Sequence, residues 1–291
     1  MSTLRLALEW FLNPDHLPLL AARETLREKH GLELDIIAPD DHYDGFAELA
    51  AGKVDLVTNE PLHLLERHPH PLRSLGTFFH TDGGVLIQAA ARQRLLDGGA
   101  IRVSSPVSNP VTDGLCRNIL AGWLQSQGKT LREDQVTVYE GGFGHVDNLA
   151  AGADAAWLAF ANIEGIDARQ RGLDVSMIRT TDGGVPGFSA LELIAARDAT
   201  PGQQASAGLL VATLDQVIPA LQAAPAEARA LWYRASGEAS SAATDAIIDD
   251  TLRRFVAPVR PDPARWLAVW EHMSARGADI VDRAGFDAIF Q

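Results

Sequence analysis

Strand and helix signals alternate along the first 200 residues of this chain, and that alternation restricts the fold more than any single motif. Residues 4–9 read as a strand, 17–29 as a helix ending before Gly31, and 32–37 as a second strand. Residues 43–51 read as a helix before Gly52, 55–58 as a short buried strand, and 61–67 as a helix again. Strands separated by helices at this spacing build βαβ units and a mainly parallel sheet. Residues 77–90 carry two strand-like halves around Asp82-Gly83-Gly84, a turn signal. A second series follows, with strands at 101–105, 136–139, 155–160 and 175–179 and helices at 111–126 and 144–151. Gly183-Gly184-Val185-Pro186-Gly187 breaks the pattern before a strand at 188–196. From residue 203 onward the signals are almost wholly helical, at 209–223, 226–235, 239–255 and 263–276.

The expected fold class is therefore α/β, with two lobes and a helical C-terminal tail. A tail without a sheet of its own predicts a chain that leaves one lobe, builds the second and returns. The division expected is 1–92 in lobe 1, 93–189 in lobe 2 and 190–291 in lobe 1 again. Lobes connected this way hold ligands in an interlobe cleft that closes by hinge motion.

Composition removes several function classes. A formal charge of −13 argues against nucleic acid and anionic membranes, which want clustered Lys and Arg. The one cysteine, Cys116, excludes an intramolecular disulfide and a multi-cysteine metal site, and its apolar helical setting predicts a buried, inert thiol. No run of about 18 apolar residues is present, so no membrane insertion is expected. The N-terminus lacks a basic stretch followed by an apolar one, so the chain as it stands reads as cytoplasmic, and as periplasmic or extracellular if a leader is removed. His63, His68, His70 and His80 have no ligand spacing on one helix, and no metal site is expected.

The candidate ligand residues begin at Leu8-Glu9-Trp10-Phe11-Leu12-Asn13-Pro14-Asp15-His16. An acid, an indole, an amide and an imidazole (Glu9, Trp10, Asn13, His16) fall between a strand and a helix start, where open α/β proteins place ligands. The plain alternative is turn chemistry at Asn-Pro-Asp with Trp10 in the core. Ser104, Ser105 and Ser108 offer hydroxyls at a second strand end, where Pro106 and Pro110 remove N–H donors. Glu140 heads a Gly141-Gly142 turn at a third. Trp10, Phe79, Phe143, Trp157 and Phe188 are candidate stacking walls for a flat ring. Glu192 is an acid inside an apolar strand, and so should face a cleft or a cation; an ion pair to an arginine such as Arg179 is the structural alternative.

Glu9-Trp10 … Asn13-Pro14-Asp15-His16, then Gly31-Leu32-Glu33-Leu34-Asp35-Ile36 and Leu49-Ala50-Ala51-Gly52-Lys53-Val54-Asp55-Leu56, resembles the thiamine-pyrimidine proteins of type II periplasmic-binding-protein fold. The resemblance spans residues 4–200. That group contains formylaminopyrimidine-binding proteins of bacterial ABC importers. It also contains cytosolic fungal enzymes that make the thiamine pyrimidine from pyridoxal phosphate and one of their own histidines. His63 falls where the fungal enzymes carry that histidine, which makes it the candidate catalytic residue. Their imine-forming lysine, four residues earlier, is Asn59 here, and their cysteine cluster is absent around Glu192.

The resemblance thus implies a solute-binding protein rather than an enzyme, with no cofactor. Its ligand would be a small heteroaromatic molecule, a thiamine-related aminopyrimidine, and its partner an ABC permease. The relatives' glutamate on the return strand implies that Glu192 reads the amino edge of such a ring, with Asn13, Asn59 and the Ser104-Ser105 turn on its substituent. A cytosolic enzyme of the same fold acting on a thiamine pyrimidine or a related heterocycle, with His63 as acid or base, is the alternative. A sulfonate- or taurine-type binder is the weaker one, since Glu192 would repel an anion.

Overall fold

The computed structural model describes residues 2–39, 44–106 and 108–291, and for Val111 the backbone alone. Along the chain the elements are β1 (Ser2–Ala7), α1 (Leu17–His30), β2 (Leu32–Ile37), α2 (Gly45–Ala50), β3 (Leu56–Asn59), α3 (Pro61–Leu64) and β4 (Leu72–His80). Next come β5 (Gly83–Gln88), α4 (Ala89–Leu96), β6 (Ile101–Ser105), α5 (Pro110–Ser126), β7 (Val136–Glu140), α6 (His145–Ala150), β8 (Ala155–Phe160), α7 (Glu164–Gln170) and β9 (Val175–Arg179). The remainder is β10 (Ala190–Ala196), α8 (Pro201–Ala223), α9 (Pro225–Ser236), α10 (Ala242–Leu252), β11 (Phe255–Arg260), α11 (Pro263–Ser274) and α12 (Arg283–Ile289). The helix expected to begin at Tyr43 begins at Gly45, and Tyr43 itself lies outside the described residues, as does Val107 of the serine-rich turn.

Two compact units result: one from residues 1–80, 188–241 and 248–291, the other from 81–187 and 242–247. The first unit has a six-stranded sheet in the order β11-β4-β10-β3-β1-β2. Strands β1, β2 and β3 run parallel, whereas β10 and β11 pair antiparallel, so this sheet is mixed rather than mainly parallel. The second unit has five strands in the order β7-β6-β8-β5-β9. Residues 81–92 fall in this unit because β5 pairs with both β8 and β9.

Helix α1 shows why the local sequence folds as it does. Pro18 sits in its first turn, where the missing N–H costs nothing, and Gly31 ends it at φ 60°. Leu17, Leu19, Leu20, Ala22 and Leu26 are buried against the sheet and against α8. Each such leucine contributes about 1.5–3 kcal/mol of apolar burial. Leu210, Leu214 and Ile218 of α8 fill the same core. Immediately before β3, Asp55 accepts from the Arg5 backbone N–H of β1 at 2.9 Å and from its guanidinium at 3.0 and 3.1 Å. The Gln203 amide of α8 donates to the same carboxylate at 2.9 Å.

The tail is not wholly helical. Residues 255–260 form β11, which pairs with β4 as an edge strand and so tolerates Pro258. Gly76 makes the pairing possible: its φ is 138°, and a Cβ there would lie 2.4 Å from the backbone nitrogen of Arg260. Gly76→Ala should therefore destabilise the first unit by about 2–4 kcal/mol, read as a lower urea midpoint at unchanged slope. An unchanged midpoint would mean that β11 is not seated on β4 as described.

Candidate functional site

The C-terminal ends of β1 and β3 lie side by side, because the two strands pair in parallel. Chain leaving β1 runs through Leu8 and Glu9 into a 3-10 turn at Pro14–His16 before α1. Asn13 caps that turn, its Oδ1 accepting from the Asp15 N–H at 2.8 Å. The turn delivers His16 back under the strand end, fully buried. Its Nδ1 accepts from the Asn13 N–H at 3.2 Å, which leaves Nε2–H to donate to Glu9 Oε1 at 2.8 Å. The other Glu9 oxygen accepts from the Thr58 hydroxyl of β3. The Glu9 side chain is 2% exposed, so this is a buried carboxylate with both oxygens occupied from inside. Burial draws the His16 pKa down, and the charge and hydrogen bond of Glu9, with Asp15 behind it, more than reverse that pull.

A pocket of about 510 Å3 opens beside Glu9, lined by Phe46, Thr58, Asn59, His63, Glu66 and His68 among others of the first unit. Phe46 and His68 stack with ring centroids 4.5 Å apart. His63, on the single turn of α3, has its Nδ1 3.1 Å from Glu66 Oε1, and its side chain is 46% exposed. Local desolvation lowers its pKa, and Glu66 and Glu60 raise it further than that, to a net increase.

Glu60 is the residue that the sequence reading passed over. It sits between β3 and α3, partly buried, at a helix cap where its side chain makes no capping bond. Among the described residues no side chain donates to its carboxylate. Burial raises its pKa to about 7, with the Glu9 charge adding and His63 opposing. The signal was available: an acid at a strand's end immediately before Pro61.

Glu192 lies on β10 opposite Asn59 of β3 and Thr77 of β4. It is fully buried, and the hydroxyls of Ser74 and Thr77 each donate to one of its oxygens. Burial raises its pKa to about 7, against the pull of those hydroxyls, of the Trp266 indole and of Arg265. Arg179 pairs instead with Asp182 at 2.9 Å.

The remaining candidates separate. Phe79 is core, its ring 5.9 Å from that of Phe255, and Phe188 is buried. Trp10 is partly buried against the first unit's core. Trp157 is buried in the second unit. There Ser104 and Ser105 are also buried, and Ser104 Oγ accepts from the Asn148 amide at 2.8 Å. Gly141 closes on the same pair, since a Cβ would lie 2.2 Å from Ser104 Oγ. Ser108 donates to Asp113 at 2.9 Å, and Glu140 is exposed. Cys116 is buried, which raises its thiol pKa.

The family description NMT1/THI5 like matches residues 13–228. The chain belongs to that family. A Haemophilus influenzae protein, assigned to thiamine biosynthesis by name only, is 28% identical over 279 residues, covering 93% of this chain and 86% of that one. Among solved structures, the ligand-binding component of an ABC-type import system from Staphylococcus aureus superposes with a TM-score of 0.70 at 10% identity, covering 99% and 98% of the two chains. The periplasmic aliphatic sulphonate binding protein SsuA from Escherichia coli gives 0.68 at 14% identity, covering 100% and 92%. This NMT1/THI5-like chain therefore has the periplasmic-binding-protein fold of ABC-import solute-binding components. Among its described residues no single helix is long and apolar enough to cross a membrane.

Pyridoxal phosphate, from which the resembling fungal enzymes build their pyrimidine, does not fit these residues. Asn59 and not a lysine stands at the strand end, its Oδ1 accepting from the Glu60 N–H at 2.8 Å, and no lysine lines the pocket. Among the described residues no group of three or more His, Cys, Asp or Glu side chains is placed to hold a metal ion.

Replacing Glu192 tests its buried charge. A carboxyl whose folded pKa is raised to about 7 contributes its stabilising share below the unfolded value of 4.5 and loses it as pH rises through 7. His80 and His145, held down to about 4 by burial, act in the opposite direction over the same range, so total stability is a poor readout. The stability of wild type relative to Glu192→Gln should fall between pH 4.5 and 7.5. A difference that stays flat over that range would show that Glu192 titrates at its ordinary value.

Proposed function

We propose that this protein is a solute-binding protein for a small heteroaromatic amine, specifically a thiamine-related aminopyrimidine, serving an ABC permease. One observation carries the reading. Of the carboxylates at this end of the first sheet, Glu9 and Glu192 spend both oxygens on internal donors, and Glu66 holds His63. Glu60 has no such donor among the described residues, and burial already disfavours its lone negative charge. A 4-aminopyrimidine offers it an exocyclic N–H and a ring nitrogen that can share a proton, a paired and charge-assisted contact. Asn59 and His63 line the pocket and suit the ring's substituent; Glu60 follows Asn59 in the chain without itself lining the pocket, and Trp10, next to the pocket residue Glu9, is the proposed stacking surface.

An anionic ligand fits less well. Glu9, Glu60 and Glu66 concentrate negative charge here, and Arg67, the arginine of the pocket, is paired with Asp279 at 2.8 Å. The His63–Glu66 pair favours a second reading, an enzyme of this fold in which an oriented imidazole moves a proton. Turnover of a formylaminopyrimidine that disappears in His63→Asn would establish it.

Calorimetry with 4-amino-5-hydroxymethyl-2-methylpyrimidine, its formylamino counterpart and an alkanesulfonate decides between ligand classes. Binding of one pyrimidine below about 100 μM is expected, weakened at least about tenfold by Glu60→Gln, the equivalent of 1.4 kcal/mol. No binding of either pyrimidine in that range, or tighter binding of the sulfonate, overturns the reading. Hinge closure belongs to the same proposal and predicts a smaller radius of gyration in scattering from the ligand-saturated protein.

A further inference from the structure

The family match ends at residue 228, yet the chain beyond it reaches a turn that lines the pocket. Residues 278–281 run alongside 65–67, the turn that carries Glu66. Glu66 and Ile280 form an antiparallel bridge, and the Val281 N–H donates to the Leu65 carbonyl at 3.0 Å. Arg67 Nε donates to the Ile280 carbonyl at 3.1 Å and pairs with Asp279 at 2.8 Å. The Arg67–Asp279 pair is exposed and contributes little. The backbone pairing is different, because Leu65 and Ile280 are both buried around it.

This short strand-like segment is itself held from behind. The Trp270 indole N–H of α11 donates to the Val281 carbonyl at 2.8 Å. The Trp270 ring packs on Phe286 of α12 at 5.8 Å between centroids, and Phe286 packs on Phe290 at 5.1 Å. Ile289 of α12 is buried and lines, with Leu64, Leu72 and Val281, a small cavity of about 160 Å3 behind the turn. So α11 and α12 form an aromatic buttress, held on β4 through Arg265 and Trp266 at His80 and joined to the pocket turn through the backbone of residues 65–67.

That backbone matters because of what it carries. Glu66 places one oxygen 3.1 Å from His63 Nδ1, while the His63 carbonyl lies 2.6 Å from His68 Nε2. Helix α3 is a single turn, and its end is held from inside by long bonds: Leu65 N–H to the Pro61 and Leu62 carbonyls at 3.2 Å and Glu66 N–H to the His63 carbonyl at 3.3 Å. Without the tail, those bonds alone would hold the carboxylate facing His63.

We propose that residues 278–281 are a positioning clip, which fixes the backbone of the Glu66 turn and thereby sets the Glu66 carboxylate against His63 in the ligand pocket. The affinity arm of its test rests on the proposed aminopyrimidine reading; the histidine arm does not. A short tail segment thus bears on the protonation and direction of a pocket imidazole. The charged groups facing that imidazole are Glu60 and Glu66, and the clip acts on the second.

Two variants loosen the clip without touching the pocket. Trp270→Phe removes the indole donor and keeps a ring against Phe286. Val281→Pro removes the N–H given to Leu65. Proton NMR of the His63 ring should show its titration moving down toward the ordinary histidine value in both variants. Exchange of the Val281 amide in Trp270→Phe should speed up, with far-UV circular dichroism unchanged. The Kd for 4-amino-5-hydroxymethyl-2-methylpyrimidine should rise about five- to tenfold, the size of one hydrogen bond. If the Val281 amide loses protection while His63 titrates as in wild type, the clip does not position Glu66 and the proposal falls. If wild type binds no pyrimidine, the proposed ligand fails while the His63 titration still decides the clip. Should Val281→Pro fail to fold, Trp270→Phe carries the test alone.

Discussion

The buried hydrogen bond between Glu9 and His16 is the constraint around which the first unit's functional end is arranged. A carboxylate withdrawn from water must find donors, and here they come from two directions: an imidazole seven residues later in the chain and the Thr58 hydroxyl on the neighbouring strand. Satisfying Glu9 fixes the 3-10 turn, the start of α1 and the alignment of β1 with β3 together. Removing one partner of such a pair costs about 3–5 kcal/mol, because the other is left charged and unpaired. Glu9 also sets the electrical character of its surroundings. Its charge adds to the rise in the Glu60 pKa, so the satisfied acid helps prime the unsatisfied one.

Much of the scaffold was legible because its signals are local. The alternating runs at Leu32–Ile37, Ile101–Ser105, Ala155–Phe160 and Val175–Arg179 became strands over those same residues. Gly31 ended α1 as a glycine at positive φ does. What escaped depended on partners far away in sequence. β11 contains Pro258, which argues against a strand until its edge position on β4 is known. α8 begins eight residues earlier than its apolar pattern, at Pro201, because Thr200 and Gln203 form a capping box that outweighs the polar composition there. α4, α7 and α12 are short and carry too few apolar residues for their period to stand out.

The site divides along the same line. Glu9, Asn13, His16, Asn59 and His63 could be named from the sequence because they crowd the ends of two strands. The roles they take in the fold could not. Nothing in the spacing says that Glu9 is sealed by His16, or that Ser74 and Thr77, more than a hundred residues before Glu192, occupy both of its oxygens. Glu60 and Glu66 stand out only through charges and backbone that the folded chain brings near.

The Arg5–Asp55–Gln203 cluster separates the cohesion of β1 and β3 from the chemistry at their C-terminal ends. Just before β3 a carboxylate is saturated by a guanidinium, a backbone N–H and an amide from α8, all serving cohesion. Beyond the strands' C-terminal ends, Asn59, His63 and Glu66 line a pocket. Evolution can therefore change the chemistry there without loosening the strands, since Asp55 lies three to four residues before Thr58 and Asn59, about 10 Å or more along an extended chain. The mechanical anchor and the chemical vocabulary of this end of the sheet are thus separate parts of neighbouring strands.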